Sequence, residues 1–104
     1  MKILIVDDEE MIRGVLREYV EFEGNEAFEA ADGMDAVKKC RENDYDLILM
    51  DVMMPHLDGF SAVKEIKKTK DIPVIMLGPT MNGRINNTYR AKIIIKCRNS
   101  APFR

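Results

Sequence analysis

Three aspartates carry the clearest chemistry in the sequence. Asp7 and Asp8 follow directly on the apolar run Ile3-Leu4-Ile5-Val6, and Asp51 follows directly on a second run, Leu47-Ile48-Leu49-Met50. Carboxylates gathered in one place repel one another. A divalent cation removes that repulsion. Mg²⁺ suits the task because it takes oxygen ligands in octahedral geometry, keeps several waters and leaves room for phosphate oxygens. A carboxylate beside such an ion is suited to accept a phosphoryl group as an acyl phosphate. The plainer alternative is that each acid is a solvated residue in the loop after a strand. The same trio would also serve a metal-dependent phosphohydrolase, although no glycine-rich phosphate loop or Ser/His/Asp order supports an independent enzyme.

The elements that must position these acids can be read from periodicity. Four consecutive apolar residues suit a strand buried on both faces, as in a parallel sheet covered by helices. Ile3–Val6, Leu47–Met50 and Val74-Ile75-Met76-Leu77 all read this way, whereas Glu26-Ala27-Phe28-Glu29-Ala30 alternates and reads as an edge strand. Between them, Ile12, Val15, Leu16, Tyr19 and Val20 form one stripe of a helix. Asp8 is expected to cap its start, Glu9 and Glu10 suit the positive end of its dipole, and Gly24 stands just past its last turn. Ala36, Val37 and Cys40 mark a second helix opened after Asp32-Gly33. Phe60, Val63 and Ile66 mark a third, with Lys64, Lys67 and Lys68 outward and Pro73 at the exit. The order β-α-β-α-β-α-β to residue 77 predicts an α/β fold, a doubly wound parallel sheet with right-handed crossovers. In the flavodoxin-like strand order 2-1-3-4-5, strands 1 and 3 are neighbours where the order reverses, and ligands bind beyond their carboxyl ends. Asp7, Asp8 and Asp51 would then converge in one crevice.

A length of 104 residues allows one domain. With 46% hydrophobic and 33% charged residues, the composition argues against a disordered tail or a fibrous protein. No apolar run approaches the roughly 18 residues of a membrane span. The first strand runs straight into acid, unlike a signal peptide, so a cytoplasmic location is expected. Cys40 and Cys97 are then expected to be free thiols. The eight methionines, Met50 and Met76 among them, read as core fillers, and His56 as a solvent-facing loop residue.

The residues around the acids resemble a known family. Ile3-Leu4-Ile5-Val6-Asp7-Asp8-Glu9 is similar to the opening of receiver domains of bacterial two-component response regulators. Asp51-Val52-Met53-Met54-Pro55-His56-Leu57-Asp58-Gly59 is similar to their phosphoacceptor strand end and loop, and Asp71-Ile72-Pro73-Val74-Ile75-Met76-Leu77 to their fourth strand. The 44-residue spacing from Asp7 to Asp51 and the Asp32-Gly33 pair fit as well. The resemblance covers residues 1–77 and is strongest to receivers that precede a winged-helix DNA-binding domain. It implies Asp51 as phosphoacceptor, Asp8 as a direct Mg²⁺ ligand, Asp7 acting in the metal site through water, and the backbone carbonyl of Met53 as a further ligand. Met54-Pro55 and Asp58-Gly59 would shape the loop beside Asp51. The implied donor is a phosphohistidine on a sensor histidine kinase, and contact with DNA would belong to a separate output domain.

Beyond residue 77 the resemblance fails in part. Gly78-Pro79 stands where the family carries Ser or Thr followed by Ala, and Thr80 comes two positions late. Ile93-Ile94-Ile95-Lys96 resembles the fifth strand and its Lys, but Cys97 replaces the following Pro. Ile93 falls where an aromatic switch residue is expected, and the fifth helix has no counterpart. The charge changes at the same boundary. Residues 1–78 hold all 18 acidic residues and ten of the 16 basic ones. Residues 79–104 hold Arg84, Arg90, Lys92, Lys96, Arg98 and Arg104 and no acid. The expectation is a receiver core at 1–78 with impaired switching, followed by an atypical basic segment of different origin, by frameshift, alteration or graft. A strand at 92–96 would complete the same domain, and Lys96 would supply the cation that contacts the phosphoryl oxygens. An incomplete fifth unit would expose a sheet edge and a face of the first helix, which favours a homodimer or an element-exchanged oligomer. A nucleic-acid-binding module that uses the basic segment is the alternative from another class.

Overall fold

The computed structural model describes residues 1–51 and 58–77. Its elements in order are β1 (Lys2–Val6), α1 (Glu10–Phe22), β2 (Glu26–Ala30), α2 (Gly33–Glu42), β3 (Leu47–Asp51), α3 (Gly59–Ile66) and β4 (Val74–Leu77). The four strands form one parallel sheet in the order β2-β1-β3-β4. This is the first four-fifths of the order expected from the sequence. The expected strand at 92–96 lies outside the described residues.

Helices cover both faces, and the strands divide their side chains between them with period two. Ile3 and Ile5 of β1 and Leu47 and Leu49 of β3 pack with Ile12, Leu16 and Val20 of α1. Leu4, Val6, Ile48 and Met50 point the other way, against Ala36, Val37 and Cys40 of α2 and Ala62 and Ile66 of α3. Continuous apolar runs are therefore needed in β1 and β3, because neither face is wet. β4 departs from this: only Leu77 is buried, and Val74, Ile75 and Met76 are half-buried. β2 is an edge strand, as its alternation indicated.

The helix ends follow local chemistry. Asp32 caps α2 by accepting the Asp35 N–H at 2.8 Å, and Asp58 caps α3 by accepting the Ser61 N–H at 2.9 Å. Gly24, just beyond α1, has φ of 87°, a conformation that glycine adopts without steric cost. Three expectations need correction, the first being that the methionines all fill core, since Met11 is 79% and Met34 63% exposed. Asp8 does not cap α1. Glu9 holds the N-cap position without a side-chain capping bond, and its own N–H is taken by the Asp7 carboxylate at 2.9 Å. Phe60 does not lie in the buried stripe of α3 but is 64% exposed. The buried positions are Gly59, Ala62 and Ile66, an i, i+3, i+7 stripe that leaves Phe60 off the packed face.

Candidate metal and phosphoacceptor site

The strand order brings the acids together. β1 and β3 are paired with Val6 beside Met50, so the next residues, Asp7 and Asp51, emerge side by side at the carboxyl end of the sheet. Both are 2% exposed, whereas Asp8 is exposed. One carboxylate oxygen from each of Asp7, Asp8 and Asp51 lies within 4.8 Å of the others. In an octahedral Mg²⁺ shell with bonds of about 2.0–2.1 Å, ligand oxygens sit roughly 3–4 Å apart. The donor set is all oxygen, and its spacing needs only small side-chain adjustments to fit. Met53 and Lys96 lie outside the described residues, as do Met54, Pro55, His56, Gly78, Thr80, Ile93 and Cys97.

The backbone of Asp7 is held on both sides. Its N–H donates to the Ala30 carbonyl at 3.2 Å, and its carbonyl accepts from Nη1 of Arg13 at 2.8 Å. Arg13 also donates through Nε to Oε1 of Glu29 on β2 at 2.8 Å, and Arg17 donates through Nε to Oε2 at 2.7 Å. Arg17, followed by Arg13, holds the Glu29 carboxyl below the usual glutamate range. Sequence reasoning missed this linkage. Arg13 and Arg17 do stand one helical turn apart and Glu29 does interrupt an apolar strand, but the pairing needs the packing of α1 on β2, which no local pattern reveals. Elsewhere, burial pushes the Cys40 thiol up, in keeping with a core role.

The profile of the response regulator receiver domain matches residues 3–94. The chain belongs to the response regulator receiver family. The match runs beyond residue 78, into the basic segment. The transcriptional regulatory protein ResD of Bacillus subtilis is 49% identical to this receiver over 76 residues, 73% of this chain and 32% of ResD. SrrA of Staphylococcus aureus is 43% identical over the same length and shares. The receiver thus spans about a third of the length of these curated relatives. Among solved structures, the response regulator TrrA of Thermotoga maritima, in complex with Mg²⁺-BeF, superposes with a TM-score of 0.72 at 38% identity, over 86% of this chain and 79% of TrrA. TrrA in complex with the histidine kinase ThkA superposes at 0.70 and 41% identity, over 74% of this chain and 67% of that one. The sheet and its helices are those of a flavodoxin-like receiver of two-component systems. Among the described residues, no helix is long and apolar enough to cross a membrane.

Proposed function

We propose that this receiver accepts a phosphoryl group on Asp51 from a phosphohistidine of a sensor histidine kinase, in the cytoplasm. The observation that carries the reading is the convergence of Asp7, Asp8 and Asp51 at the ends of two neighbouring parallel strands. The TrrA–ThkA complex, solved for a relative 41% identical, supports the class of donor. A carboxylate oxygen of Asp51 attacks phosphorus, the bond from phosphorus to the imidazole nitrogen breaks, and the imidazole leaves with the electron pair and takes up a proton. Asp8 would hold Mg²⁺ directly, Asp7 through water, and the Met53 carbonyl would complete the protein ligands. The ion, when bound, supplies positive charge against the transferring group.

The receiver core is read at 1–78, with 79–104 as an atypical basic segment that would belong to the same domain. Lys96 would supply a cation to the phosphoryl oxygens, and Gly78, which has no hydroxyl, would weaken the coupling of phosphorylation to switching. The chain acts as an acceptor, not as a turnover enzyme. The test treats the full chain with a small acyl phosphate, with and without Mg²⁺, and follows intact mass. One added phosphoryl group, dependent on Mg²⁺ and lost in Asp51→Asn, is expected. Sustained release of free phosphate would point to a phosphohydrolase instead, and addition that survives in Asp51→Asn would overturn the assignment.

A further inference from the structure

Asp8 is the exposed member of the trio, so its own packing restrains it little. The peptide that precedes it is different. That peptide's carbonyl belongs to Asp7 and is gripped by Arg13 Nη1 at 2.8 Å, while Arg13 Nε is anchored on Glu29 at 2.8 Å. The Arg13 side chain is only 15% exposed. One planar guanidinium thus spans two partners, the loop after β1 and the strand β2, and the rotation of the Asp7–Asp8 peptide, which sets the direction of the Asp8 side chain, is tied through it to that edge strand.

We propose that Arg13, braced by Glu29, is a positioning residue for the acidic site and holds Asp8 in the direction in which it binds a divalent cation. This rests on the reading of Asp8 as an Mg²⁺ ligand. Charge alone makes the opposite prediction. Arg13 is a cation close to the acids, so if it acted only through its field, its removal would strengthen Mg²⁺ binding, and Arg13→Lys, which keeps the charge, would leave binding unchanged. Positioning predicts weakening in both cases, because a single ammonium cannot reproduce the two-pronged fork. Loss of groups that orient metal ligands commonly lowers affinity 10–100-fold.

The experiment measures Mg²⁺ affinity calorimetrically, and the Asp8 backbone amide shift in Mg²⁺-free protein, for the full chain and its variants. Arg13→Lys and Arg13→Gln are expected to bind Mg²⁺ about tenfold more weakly and to shift the Asp8 amide. Glu29→Gln is expected to move both readouts in the same direction by less, and it carries the test if the Arg13 variants do not fold. Arg17→Ala breaks the other Glu29 ion pair without touching Asp7, and is expected to change neither readout. Binding equal to or tighter than that of the parent in Arg13→Lys and Arg13→Gln, or an equal loss in Arg17→Ala, would overturn the proposal. Asp8→Ala separates the two levels: if it binds Mg²⁺ as the parent does, the reading of the site fails, and if it loses binding while the Arg13 variants keep it, only the positioning role fails.

Discussion

Asp51→Asn is expected to make the chain more stable when Mg²⁺ is withheld. Asp7 and Asp51 are both 2% exposed, and carboxylate oxygens of the two lie within 4.8 Å. At an effective dielectric of about 20, two unit charges at that separation repel by roughly 3.5 kcal/mol. Asp8 is exposed and adds less through screening. Screening offsets part of this repulsion, so about 2 kcal/mol is expected from replacing one carboxylate by an isosteric amide. For a domain of this size that corresponds to about 10 °C in melting temperature. The assay is a thermal melt in chelator and again in excess Mg²⁺. The parent should gain about 2.7 kcal/mol at a cation concentration a hundred times its dissociation constant. Asp51→Asn, with a poorer ligand set, should gain less, so the gap between the two narrows or inverts. A melting temperature for Asp51→Asn at or below that of the parent in chelator would refute the argument, since it would mean that the clustered charges impose no cost on the fold.

The two faces of α1 predict opposite outcomes from similar changes. Gly14→Ala should stabilise by about 0.5–1 kcal/mol, because a methyl there meets nothing within 4 Å and alanine is the better helix former; a chemical denaturation midpoint checks it. Leu16→Ala should cost about 2–5 kcal/mol by the same assay, because Leu16 is fully buried against β1 and β3. Glu29 is held below its ordinary value of 4.5 by Arg17 and Arg13, so its pairs contribute stability above that value and lose it as pH falls through the lower, folded-state value. Denaturation against pH should therefore show Glu29→Gln less stable than the parent near neutrality, with the gap closing in acid; a gap that widens in acid would contradict the assigned sign.

The fold to residue 77 was legible because its signals are local. Runs such as Leu47–Met50 declare burial on both faces, Glu29 and Glu26 betray an edge, and Asp32 announces a helix. The position of the acids followed from strand order, which alternation of elements restricts to few choices. What was misread depended on partners. Phe60 looks like core by hydrophobicity, but the buried stripe of α3 runs through Gly59, Ala62 and Ile66. Asp8 looks like a cap by type and place, but Asp7 takes the Glu9 N–H. Arg13 grips the Asp7 carbonyl while anchored on Glu29, 16 positions further along the chain, and no periodicity encodes such a contact.

One detail of the edge strand bears on how this chain meets its own kind. Lys39 of α2 lays its ammonium on the Glu29 carbonyl at 2.6 Å, and the same ammonium pairs with Asp35. An incoming strand that sought to extend the sheet past β2 would have to evict a cation already held by two oxygens, and would find a charge where it needs an amide. Growth of the sheet by a neighbouring molecule is thereby discouraged on that side. Among the described residues, the outer edge of β2 is thus guarded by a single lysine.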